Sequence, residues 1–139
     1  MDIEQILDKI RKTIDSTQGN MEKALKEAHN KAVHSSVYGA YTPVNDYYGR
    51  RMDGGGFSDM GNFNVSVSGG GNGYEMNLVN NTVGRFNGRR LDDIILYATG
   101  YHWINVPPRD FISATVDEMG TKHVDIVREA LESAGFEVG

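Results

Sequence analysis

The stretch FNVSVSGGGNGYEMNLV, residues 63–79, sets the fold class. Phe63, Val65 and Val67 alternate with Asn64, Ser66 and Ser68; beyond a glycine-rich turn, Tyr74, Met76 and Leu78 alternate with Glu75, Asn77 and Val79. Successive side chains of a strand point to opposite faces, so this period of two predicts a β-hairpin with one apolar face. The turn "GGGNG" is longer than the tightest hairpin connection.

Outside the hairpin the period changes to that of a helix. Ile3, Ile6, Leu7, Ile10 and Ile14 share one helical face. "DSTQGN" interrupts this pattern, and Asn20 is the expected N-cap of a second helix carrying Met21, Leu25, Ala28, Ala32 and Val33; a kink within one long helix is the alternative. "SSVYGAYTPVNDYYGRRMDGGGFSDMGN" reads as a long loop with a short strand near Val37–Tyr41. After the hairpin and the loop "NNTVGRFNGRR", "LDDIILYAT" predicts a short helix ended by Gly100, and "GYHWINVPP" a loop. Pro108 is placed in the first turn of a long last helix, with Gly120 as a soft break, Gly135 as its C-cap and "FEV" as a final strand. The expected architecture is one α+β domain over residues 1–139, with N-terminal helices and a long C-terminal helix packed on a small antiparallel sheet, joined by long glycine-rich loops.

Composition bounds the function. A chain of 139 residues, 39% hydrophobic and 24% charged, is long enough to bury a core of its own and lies in the globular range. It has no cysteine, which excludes disulfides, zinc–thiolate sites and a thiol nucleophile. The charged N-terminus lacks the apolar core of a secretion signal, and no run approaches the roughly 18 apolar residues of a membrane span; a soluble protein made in the cytosol is expected. The net charge of −5 is unevenly spread: residues 42–90 hold five arginines against four acids, and residues 91–139 nine acids against three bases. Arginine-bearing loops of one copy meeting an acidic surface of the next would use this asymmetry.

Catalytic and ligand motifs are poorly supported. The glycines of "RRMDGGGFSD" lead into a strand with no lysine after them, and those of "GGGNGY" join two strands, so neither forms a nucleotide-binding loop. Asp53 and Asp59 lack the alternating oxygen ligands and closing glutamate of a calcium loop. His29 and His34, five apart on a helix, do not share a face and make poor metal ligands, and surface or half-buried places are expected for the histidines. A small hydrolase would pair His102 with Asp92 or Asp93 across a cleft; the acidic pair is equally explained by a helix first turn. The seven tyrosines, Trp103 and the loop arginines suit a protein interface, a stacking platform for single-stranded nucleic acid, or a loop folded over its own core with Trp103 as plug.

The segment VPPRDFISATVDEM, Val106–Met119, resembles the ending of the small morphogenesis proteins of long-tailed bacteriophages, the tail-completion or head–tail connector (neck) family. There a Pro-Arg-Pro-Phe-like motif introduces the last helix and is followed by a small residue, here Ala114; Asp110 stands where the second proline is usual. "DGGGFSD" occupies the place of that family's Thr/Asn-Gly-x-Leu-like element, with Phe57 for the leucine. The resemblance runs from about Glu22 to the C-terminus. It implies a non-enzymatic virion protein without cofactor or metal, assembled in the host bacterial cytoplasm. Such a protein forms a ring, hexameric or higher, at the head–tail junction or tail terminus beside other neck or tail proteins. The expected interface residues are Tyr47, Tyr48, Arg50, Arg51, Phe57, Arg85, Arg89, Arg90, Tyr101 and Trp103. A small nucleic-acid-binding module using the arginine and aromatic loops is the alternative.

Overall fold

The computed structural model describes residues 2–40, 50–69, 73–84, 88–97 and 108–138. Its elements run α1 (Ile3–Asp15), α2 (Gln18–Ala32), a wide π turn (Val33–Tyr38), a 3-10 turn (Met60–Asn62), β1 (Phe63–Ser68), β2 (Glu75–Asn80), α3 (Leu91–Tyr97), α4 (Phe111–Met119) and α5 (Lys122–Ser133). The fold is α+β, with helices at both ends and a two-stranded antiparallel sheet between them. No helix among the described residues is long and apolar enough to cross a membrane.

The hairpin register places Val65 opposite Leu78 and Val67 opposite Met76, so the alternating apolar residues do share a face. Phe63 opposes Asn80, and these two buried residues anchor the open end of the hairpin, away from its turn, against the helices. A lone two-stranded sheet is marginally stable in water, so this anchorage supplies what the ladder cannot.

α1 is a well-capped helix: the Asp2 carboxylate accepts from the Gln5 backbone N–H at 2.8 Å, and the Asp2 N–H donates to the Gln5 side chain at 3.0 Å. The chain breaks at Ser16–Thr17, not at Asn20. Thr17 keeps helical φ and ψ, and its hydroxyl donates to the Ile14 carbonyl at 2.6 Å while the Tyr74 hydroxyl donates to Thr17 at 2.6 Å. This buried threonine ties the helix break to the hairpin, leaving Gly19 and Asn20 inside α2.

The strand expected near Val37 is absent; Val33–Tyr38 continues α2 as a widened turn. The Ser35 and Ser36 hydroxyls both donate to the Ala32 carbonyl, at 3.3 and 2.6 Å, competing with the backbone for that acceptor. The π turn closes through Gly39 N–H to His34 O at 3.0 Å.

The main core cluster comprises Val33, Val37, Phe57, Ile95 and Phe111, so it lies where the π turn, α3 and α4 meet a loop residue, not beneath the sheet. The expected long last helix is two. Gly120 ends α4 with φ +53°, and α5 ends at Gly135, φ +98°, where the Phe136 N–H reaches back to Leu131 O at 3.0 Å. Phe136–Val138 forms no strand; the Phe136 ring lies 5.3 Å from the Lys9 ammonium of α1. Pro108 stands outside α4, because Asp110 is the N-cap: its carboxylate accepts from the Ser113 N–H at 3.0 Å and the Ser113 hydroxyl at 2.7 Å. Those two bonds, the backbone one first, hold the Asp110 carboxyl below its usual pKa.

Candidate functional site: a braced glycine loop, an arginine cluster and uncovered apolar surface

The glycine run of residues 54–56 is braced on every side. Asp59 accepts from Gly55 N–H at 2.7 Å and Gly61 N–H at 2.9 Å, and the Asn62 side chain donates to the carbonyls of Gly55 and Gly56 at 3.3 and 3.1 Å. Asp53 Oδ1 accepts from the Ser58 hydroxyl at 2.6 Å, His34 Nε2 at 3.0 Å and Asn30 Nδ2 at 3.1 Å. The Ser58 bond, then the His34 bond, lowers the Asp53 pKa. The serine and histidine both bond the carboxylate and not each other, so this is a loop clamp and lacks the nucleophile–base pair of a hydrolase.

The loop drives Phe57 inward. Its ring is 2% exposed and meets Phe111 edge to face at 5.0 Å. Phe57 is therefore a core residue and not the interface anchor expected from sequence; its loop setting concealed a partner on α4.

Of the expected interface arginines, Arg51 and Arg90 meet at one β-bridge. Val83 and Arg90 form an isolated antiparallel bridge, and Arg51 Nη2 donates to Val83 O at 2.6 Å. Arg90 donates to Asp92 Oδ2 at 2.6 Å and to the Asn80 carbonyl at 3.3 Å. Arg89 is exposed beside it. Arg50, next to Arg51, donates to the Tyr38 carbonyl at 3.1 Å and stacks 5.1 Å from that ring's centre. Arg51, Arg89 and Arg90 thus lie at the bridge, and Arg50 turns to Tyr38 at the end of the π turn. Tyr47, Tyr48, Arg85, Tyr101, His102 and Trp103, and the side chain of Asp93, lie outside the described residues. Asp92, the described acid of the proposed hydrolase pair, is engaged with Arg90.

Two apolar surfaces lie open. On α1 no residue is buried, and Ile3, Ile6 and Leu7 are 75%, 36% and 43% exposed. Ile10 and Ile14 of the same stripe are half-buried where α1 meets α5. On α4, Ile112 and Val116 are also exposed, on a face turned about 100–140° from Phe111. They border a cavity of about 400 Å3 between α4 and β2, lined also by Leu25, Met76, Leu78, Met119 and His123. The acids Asp117, Glu118, Asp125, Glu129 and Glu132 are exposed on α4 and α5.

At the inner end of that cavity is a group that sequence reading missed. His29, placed there as a surface or half-buried residue, is 3% exposed, with the rings of Phe63, Phe111 and Phe57 in T-shaped contact at 4.6, 5.7 and 6.1 Å. Its Nδ1 lies 2.9 Å from Thr115 Oγ1 and its Nε2 3.0 Å from Asn80 Nδ2. Burial lowers its pKa to about 4. The available signal was Asn80, a polar residue on the hairpin's apolar face. Among the described residues no group of three His, Asp or Glu is placed to hold a metal ion.

The family model described as YomN matches the chain over residues 2–133. No curated protein and no solved structure matches significantly. The match takes in every helix and both strands, from the capping box of α1 to the last turn of α5. The chain accordingly belongs to the YomN family and is a phage-related protein.

Proposed function

We propose that this protein is a structural virion component of a tailed phage or prophage, forming a homo-oligomeric ring at the head–tail junction or tail terminus. It is assembled in the host bacterial cytoplasm beside other neck or tail proteins, and the role requires neither catalysis nor a cofactor. The observation that carries the reading is α1: a thirteen-residue, doubly capped helix without one buried residue, whose apolar stripe lies open at Ile3, Ile6 and Leu7. A helix this short is marginal in water and gains most of its stability by burying an apolar face. Half of that face is uncovered here, which suits a helix completed by a neighbour.

The charge distribution supports a head-to-tail contact. The arginines at the Val83–Arg90 bridge and the exposed acids of α4 and α5 stand on different elements of one chain. A contact joining unlike surfaces closes into a ring when its rotation allows. The test is mass by light scattering, for the purified 15.4 kDa chain alone and mixed with purified tails or capsids. A ring-sized species, or co-migration with either particle, supports the proposal. A strict monomer at high concentration that binds neither removes it.

A further inference from the structure

The hydrogens around His29 can be assigned from donor and acceptor chemistry alone. Asn80 Oδ1 lies 3.2 Å from the Thr82 backbone N–H, which can only donate, and Asn80 Nδ2 lies 2.7 Å from the Phe57 carbonyl, which can only accept. Both contacts fix the same amide orientation, so the NH2 group faces His29 and donates to Nε2 at 3.0 Å. Nε2 must then hold a lone pair. The ring proton sits on Nδ1 and is donated to Thr115 Oγ1 at 2.9 Å, while the Thr115 hydroxyl donates onward to Phe111 O at 2.6 Å.

The chain of bonds links three elements: His29 of α2, Asn80 at the open end of the hairpin, and Thr115 of α4. We propose that His29, Asn80 and Thr115 form an acid-released latch, which pins the hairpin and α4 to α2 while the imidazole is neutral and lets go when it takes a second proton. The device is independent of the assembly role.

A proton on Nε2 would point at the Asn80 NH2 group, donor against donor. Turning the amide over gives no relief, because Oδ1 would then face the Phe57 carbonyl and the NH2 would face the Thr82 N–H. The surrounding groups do not welcome a charge either. β1, α4 and the glycine loop present the rings of Phe63, Phe111 and Phe57. Across the cavity α5 presents His123, and the Arg90 guanidinium bonds the Asn80 carbonyl. No carboxylate is among the described residues lining the cavity. The depressed pKa of about 4 agrees with this arrangement.

The sign follows from linkage. The released form takes up a proton near the ordinary 6.5, the latched form near 4, so latching is at full strength above 6.5 and weakens as pH falls between these values. By pH 5 the closing equilibrium has fallen roughly 30-fold relative to pH 7.5. The experiment is amide hydrogen exchange on the full chain at pH 7.5 and 5, corrected for intrinsic rates, with nitrogen NMR reading the His29 tautomer. Expected are a neutral Nδ1–H ring at pH 7.5 and a protection loss of about that size in residues 63–68 and 75–80, exceeding the loss in α1. His29→Gln, which cannot titrate, should flatten the pH dependence of the hairpin. If that variant does not fold, the wild-type tautomer and titration still decide. An Nε2–H ring, a His29 titrating near 6.5 with unchanged hairpin protection, or an equal loss in every element would each overturn the latch.

Discussion

Replacing Gly56 with alanine should cost about 2–4 kcal/mol of stability, and the reason is space rather than backbone conformation. A Cβ on Gly56 would lie 2.3 Å from Met52 N, 2.5 Å from Met52 O and 2.8 Å from Met52 Cα. All three are main-chain atoms, so no side chain can swing aside. Met52 already holds φ at +49°, an uncommon place for a residue with a Cβ, and the bonds from Asp59 and Asn62 tie the neighbouring glycines. The strain must therefore pass along the chain to Phe57 and Ser58, both buried. Overpacking alone costs roughly 1–3 kcal/mol, and losing the Phe57 contacts outright roughly 3–5 kcal/mol; partial displacement falls between them. The matched control is Gly54→Ala, whose Cβ would meet Arg51 O at an ordinary 3.5 Å and should change stability by less than about 0.5 kcal/mol. Urea unfolding followed by far-UV circular dichroism measures both. A Gly56→Ala protein as stable as its control would refute the braced loop.

Phe57→Ala should lose about 3–5 kcal/mol in the same unfolding assay, as a core truncation does, because its ring packs on Phe111. Ile3→Glu with Leu7→Glu should leave monomer stability within about 0.5 kcal/mol of wild type, since both side chains are exposed, yet abolish the large species in light scattering; unchanged association would clear α1 of the role. Asp110→Ala should lower the thermal midpoint by removing the α4 cap. Because the Asp110 pKa lies below the ordinary 3.8, its contribution is present above that value and lost as pH falls through the folded pKa, so the two midpoints should converge in strong acid.

Much of this was legible where the determining contacts are local. The alternation in 63–79 gave the hairpin and its shared face, and Gly120 and Gly135 gave the break and cap at positive φ. What misled was capture of backbone groups by nearby side chains. Thr17 moved the helix break, Ser35 and Ser36 widened the end of α2 where a strand was expected, and Asp110 displaced Pro108 from the start of α4. The buried site was hidden for a different reason: the partners of His29 stand 51 and 86 residues away, beyond the reach of any periodicity. Phe57 shows the same limit, since a single aromatic in a glycine loop carries no pattern to say which way it turns.

The proposed virion role is tested most directly by counting this protein in finished particles. Quantitative mass spectrometry of gradient-purified virions should find it at a fixed ratio to the other structural proteins, equivalent to a ring of six or more copies per particle. Its absence from purified particles, with abundant free protein left in the lysate, would contradict the account.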